Sequence, residues 1–92
     1  MQVILDGNRM VSREALHEYL REALNLPDYY GRNLDALYDV LSSYPEKLEL
    51  TVVHADVMLE HLGKYGNAFV KTLIDAAETT ENLDLSISNE II

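Results

Sequence analysis

The chain has no cysteine. That absence excludes a disulfide, a thiolate nucleophile and any cysteine-based metal site. It is compatible with a reducing, cytoplasmic setting. Basic residues are scarce, with seven Lys and Arg against sixteen Asp and Glu. No basic stripe interleaved with aromatics exists for RNA or DNA, and the net charge of −9 repels polyanions and anionic membrane surfaces. Long apolar runs are missing as well. Near the N-terminus, Val3-Ile4-Leu5 stands alone, whereas a secretory leader needs about seven apolar residues. Nothing approaches the roughly 18 apolar residues of a membrane span. The glycines, Gly7, Gly31, Gly63 and Gly66, fall at no phosphate-cradling spacing. The expectation is a soluble, cytoplasmic protein with no nucleic-acid partner, no membrane association, no metal and no cofactor.

What is present is enough for one modest core. Residues 1–92 make a single domain, and 48% hydrophobic content fits a globular chain. Its mass predicts a folded surface of about 5,400 Å², against about 15,000 Å² for the open chain. One standard interface, about 800 Å² per partner, would occupy roughly 15% of that surface. A deep enzyme pocket is harder to fit. The acidic excess steers cationic partners inward and raises their on-rates.

Val3-Ile4-Leu5 reads as a short buried strand ended by the Asp6-Gly7 turn signal. Ser12 is a candidate N-cap, with Glu14 in the first turn of the helix that follows. Ala15, Leu16, Tyr19, Leu20, Ala23 and Leu24 recur on one face, and Pro27 ends that helix or follows its end closely. Residues 25–32 form a loop. Asn33 caps a second helix through about Ser43, striped by Leu34, Leu37 and Leu41. Leu48 to Val53 reads as a strand, Ala55 to Leu62 as a short helix, and Gly63 as its stop. Asn67 to about Thr79 fits a longer helix with Phe69, Val70, Leu73, Ile74 and Ala77 inward. Leu83 to Ser88 alternates with period two and reads as the last strand. The tail, Asn89 to Ile92, fits either a strand extension or a loose end. Strands joined by helical crossovers imply an α/β fold: a small three-stranded parallel sheet with helices on one or both faces.

The segment Leu26 to Pro45, LPDYYGRNLDALYDVLSSYP, holds the strongest local signal. In its helix Asp35 and Asp39 stand one turn apart, with Ser42 beside them and Tyr38 between them and the leucine stripe. Tyr38 is placed to pack one side of its ring while its hydroxyl stays wet. The helix dipole favours Asp35, which lies in the first turn. Asp39 has no such support, has poor helix propensity, and is repelled by Asp35. Upstream, Tyr29-Tyr30-Gly31 offers aromatic area on a loop, with the glycine permitting an unusual backbone. Downstream, Tyr44-Pro45-Glu46 bounds the helix. Two readings stand. One is an ordinary solvated helix face with one or two core tyrosines. The other is a binding patch of carboxylates ringed by tyrosines, suited to a guanidinium-bearing partner.

Other chemistry is weaker. His17, His54 and His61 read as surface histidines. His54 and His61 could share a helix face with Asp56 and Glu60 nearby, but that spacing alone does not make a metal site. Asp35 and Asp39 as a general acid–base pair would need a concave, partly dry site, which an exposed helix does not offer.

The run LPDYYGRNLDALYDVLSSY resembles the signature of the barstar family, intracellular inhibitors of secreted barnase-type, guanyl-preferring ribonucleases. The start, VILDG followed by a helix, is similar too, as is the element order over nearly the whole chain. The resemblance implies a barstar-like fold and no enzymatic activity. It implies a monomer when free that binds a nuclease one-to-one by plugging its active site with the acidic helix and the preceding loop. Asp39 then matches the acid that enters the substrate-phosphate position among the enzyme's arginines and histidine. Asp35 matches a second acid, and Tyr29 a ring that stacks on a nuclease histidine. Gly31, Asn33 and Ser42 match neighbouring contacts, with Tyr30, Tyr38, Tyr44 and Glu46 completing the candidate patch. There are departures. Tyr38 and Tyr44 stand where relatives often carry tryptophan, which removes contact area and an indole donor. Ala76, flanked by Asp75, stands where a further acid is usual. Arg32 adds a positive charge to the loop. These departures keep a second reading open: the same fold serving a different toxin or another basic partner.

Overall fold

Local signals set the order of elements. The structure is a computed structural model described over residues 1–89. It runs β1 (Gln2–Asp6), a 3-10 turn (Gly7–Arg9), α1 (Arg13–Ala23), α2 (Leu34–Ser42), β2 (Leu48–Val53), α3 (Ala55–Leu62), α4 (Lys64–Thr79) and β3 (Leu83–Ile87). Part of the tail whose role the sequence left open, residues 90–92, lies outside the described residues. All pairings are parallel, in the order β1-β2-β3, with Val3 opposite Leu50 and Leu50 opposite Leu85. This is the α/β architecture expected, a small three-stranded parallel sheet with helices packed against it.

The strand patterns decide which face is covered. Val3, Leu5, Leu48, Leu50, Val52 and Leu83 are buried and join Leu16, Leu20, Leu37, Leu41, Phe69 and Leu73 in one core. The alternate positions Gln2, Ile4, Glu49, Asp84 and Ser86 are exposed. Helices thus close one face, although parallel sheets are ordinarily buried on both. Accessible surface totals 5274 Å², close to the size expected from mass.

Caps fix the helix ends. Ser12 Oγ accepts from the Ala15 amide, and Asn33 Oδ1 accepts from the Ala36 amide. At the end of α1, Asn25 takes a left-handed backbone (φ 53°). The Leu26 amide donates back to the Arg21 carbonyl and the Asn25 amide to that of Glu22. This Schellman closure ends the helix before Pro27 can.

Two expectations for α4 need correction. It begins at Lys64, not Asn67, because the single residue Gly63 (φ 58°) both stops α3 and starts α4. Its buried stripe is Phe69, Leu73 and Ala76, while Ile74 is 42% exposed. α2 packs against α4, and Phe69, Leu73 and Ala76 join Leu37 and Leu41 in the shared core.

Candidate protein-binding surface

The candidate surface rests on α2 and the loop before it. Leu37 and Leu41 are fully buried, which turns Asp35 and Asp39 to solvent on the opposite side. Among the described residues neither carboxylate has a hydrogen-bond or salt-bridge partner. Ser42 and Ser43 donate to the backbone carbonyl of Asp39 and leave its side chain free. Tyr38 is half-buried, and its hydroxyl shares a 2.7 Å hydrogen bond with Thr79 Oγ1. That bond lies at the exposed surface, as expected of this hydroxyl, and ties α2 to the end of α4. Tyr44 is half-buried, its hydroxyl 3.8 Å from Met1 Sδ. Burial, and then the nearby Glu46 carboxylate, raise its phenol pKa. Glu46 itself is exposed.

In the loop, the two adjacent tyrosines part company. Tyr29 is 89% exposed, whereas Tyr30 is 5% exposed and part of the core. The expectation of two rings on one surface therefore fails for Tyr30, whose ring is an anchor. Its hydroxyl meets His17 Nδ1 at 2.9 Å, and His17 Nε2 meets the Tyr65 hydroxyl at 2.6 Å. Burial, then Tyr65, push the Tyr30 hydroxyl up to about 12, with Arg32 acting against the rise. His17 is 1% exposed, contrary to the surface histidine expected. Burial, then Arg13 and Arg32, lower its pKa and favour the neutral ring. A neutral imidazole has one donor and one acceptor nitrogen, which suits two hydroxyl partners. The signal for the burial of His17 was present in the sequence. His17 is spaced three and seven residues from Leu20 and Leu24, both on the buried stripe.

Gly31 has no left-handed backbone, and its site is tightly packed. A Cβ there would sit 3.0 Å from the Ala36 Cβ and 3.4 Å from Asn33 Nδ2. Asn33 Nδ2 donates to the Gly31 carbonyl at 3.0 Å, so one side chain both caps α2 and holds the loop. The left-handed residue in the loop is its neighbour, Arg32 (φ 51°).

Of the other sequence candidates, His54 is the residue before α3, in a left-handed backbone, and His61 is exposed near that helix's end. Among the described residues no group of three or more His, Cys, Asp and Glu could hold a metal ion. Ala76 is fully buried between α4 and the core, and the adjacent Asp75 pairs with Lys71 at 3.3 Å. A cleft of about 420 Å³ lies beside α1, lined by Arg13, Glu14, His17, Glu18 and Arg32 and away from the two aspartates. No helix of the described residues is long and apolar enough to cross a membrane.

A family model described as Barstar (barnase inhibitor) matches residues 1–89. The chain belongs to the barstar family. A Bacillus subtilis (strain 168) protein named "Putative ribonuclease inhibitor YrdF" is 38% identical over 79 residues, covering 84% of this chain and 86% of that protein. In this barstar-family chain the signature segment coincides with α2 and its loop, the region where unpaired carboxylates and the most exposed aromatic ring lie together.

Proposed function

We propose that this barstar-family chain is a non-catalytic inhibitor of a barnase-type, guanyl-preferring ribonuclease. It binds one-to-one, as a monomer, and occludes the nuclease active site with α2 and the loop Tyr29–Asn33. The observation that carries this reading is the pair of exposed carboxylates at Asp35 and Asp39, unpartnered among the described residues, on the helix that follows the loop bearing the exposed ring of Tyr29. A ribonuclease cleft must be cationic to attract RNA, and carboxylates fill it without being cleaved. In this reading Asp39 takes the substrate-phosphate position, Asp35 meets a second cation, and Tyr29 stacks on a ring of the enzyme. Gly31, Asn33 and Ser42 line the contact, with Tyr38, Tyr44 and Glu46 at its margin. Tyr30 contributes from within, by anchoring the loop.

The test is an RNA-cleavage assay titrated with wild type and Asp39→Ala. Truncating one side of a desolvated charge pair costs about 3–5 kcal/mol, roughly two to four orders of magnitude in affinity. Equal inhibition by both proteins would overturn the assignment of Asp39. Tyrosines at positions 38 and 44 and the absence of a late-helix acid at Ala76 favour a second reading, in which the same surface serves a different toxin or basic protein. Capture from a cytoplasmic and secreted extract separates the two: recovery of a barnase-type ribonuclease alone would dismiss the second.

A further inference from the structure

We infer that Arg32 is a positioning residue: its guanidinium clasps the loop and fixes the outward pose of Tyr29. The inference rests on the proposed binding role of that loop. A cation there would ordinarily oppose a cationic partner, yet the Arg32 side chain turns back on its own loop. One terminal nitrogen donates to the carbonyls of Asp28 at 3.1 Å and Tyr30 at 3.2 Å. The other lies 3.4 Å from Glu18 Oε2 on α1. Three acceptors from two elements are gathered by one planar fork, a geometry that an ammonium group does not reproduce.

The charge is balanced locally. Glu18 takes Arg32 on one oxygen and Arg21 on the other, at 2.7 Å, and Arg21 also lies 3.6 Å from Asp28. Two arginines thus face two carboxylates, and the loop gains no net positive charge. The anchors alternate along the loop. Asp28 reaches α1 through Arg21, Tyr30 through His17 and Arg32 through Glu18, which leaves Tyr29 to project. Arg32 itself takes a left-handed backbone (φ 51°).

Each exposed bond is weak alone. Their joint effect is preorganisation: a ring held in its bound pose loses less freedom on association. The clasp therefore acts on dissociation and on loop order, whereas a merely repulsive cation would act on association.

Two variants separate these roles. Arg32→Asn tolerates the left-handed backbone but removes the guanidinium, and Arg32→Lys keeps the charge but removes the fork. Stopped-flow binding to a barnase-type ribonuclease is combined with amide exchange on the free proteins. The reporter is the Tyr30 amide, which donates to the Pro27 carbonyl at 3.0 Å. The expected result for both variants is Tyr30 exchange about fivefold faster or more and dissociation about tenfold faster. Association is unchanged for Arg32→Lys, which keeps the charge, and the thermal midpoint of both variants stays within about 2 °C of wild type. Unchanged Tyr30 exchange, or tighter and faster binding by Arg32→Asn, would overturn the clasp. If the wild type fails to bind the nuclease, the proposed function falls, and Tyr30 exchange alone decides the clasp.

Discussion

Replacing Asp39 by alanine removes a carboxylate that has no partner among the described residues and stands one turn from Asp35. Three contributions set the result. Aspartate is about 0.7 kcal/mol less favourable than alanine inside a helix. Repulsion from Asp35 at i,i+4 adds roughly 0.2–0.5 kcal/mol. Nothing is lost in packing, because the residue is exposed, and Ser42 and Ser43 bond to a backbone carbonyl that alanine keeps. Asp39→Ala is therefore expected to stabilise the free protein by about 1 kcal/mol, raising the midpoint by about 4–8 °C for a domain of this size. At about 1 M salt the repulsive part is screened and roughly 0.7 kcal/mol remains. Asp35→Ala should change little, since the lost dipole interaction of about 0.3–1 kcal/mol offsets similar gains. Calorimetric unfolding of the three proteins at low and high salt measures this directly. A loss of about 1 kcal/mol or more in Asp39→Ala would refute the reasoning, because it would assign the carboxylate a structural duty inside the protein.

The stability of the fold should fall as pH drops below about 6.5. Burial, then Arg13 and Arg32, hold the His17 imidazole below its ordinary pKa, so the unfolded chain takes up a proton before the folded one does. His17→Gln should flatten urea midpoints between about pH 7 and about pH 5, where a persisting slope would dissociate the effect from this residue. Gly7→Ala would put a Cβ 2.1 Å from the His54 carbonyl oxygen and 2.9 Å from its carbon. Backbone must shift there, at a cost of about 3 kcal/mol or more in denaturant unfolding. Association with a basic nuclease should slow steeply with added salt, and an on-rate indifferent to ionic strength would argue against electrostatic capture.

What was legible in the sequence was local. The caps at Ser12 and Asn33, the leucine stripe of α2 and the alternation of the strands depend on neighbours within a turn, and each is seen in the structure. What escaped depends on partners distant along the chain. Tyr30 and Tyr29 are adjacent and alike, and only His17 and Tyr65, brought in from α1 and α4, separate an anchor from an exposed ring. Arg32 read as a charge pointed outward until Glu18 and two loop carbonyls gave it an inward address. Left-handed backbones at Asn25, Arg32 and His54 left no glycine to mark them, while Gly31, the residue suspected of one, serves close packing against Ala36. The acidic face was visible because Asp39 breaks a helix rule without compensation inside the protein.

The central claim is that α2 and its loop occupy a nuclease active site. Its most direct test is calorimetric titration of the wild-type protein into a barnase-type ribonuclease, with and without saturating guanosine monophosphate in that site. The account predicts one-to-one binding that weakens in proportion to nucleotide occupancy. Binding indifferent to the nucleotide, or no binding by the folded protein, would contradict it.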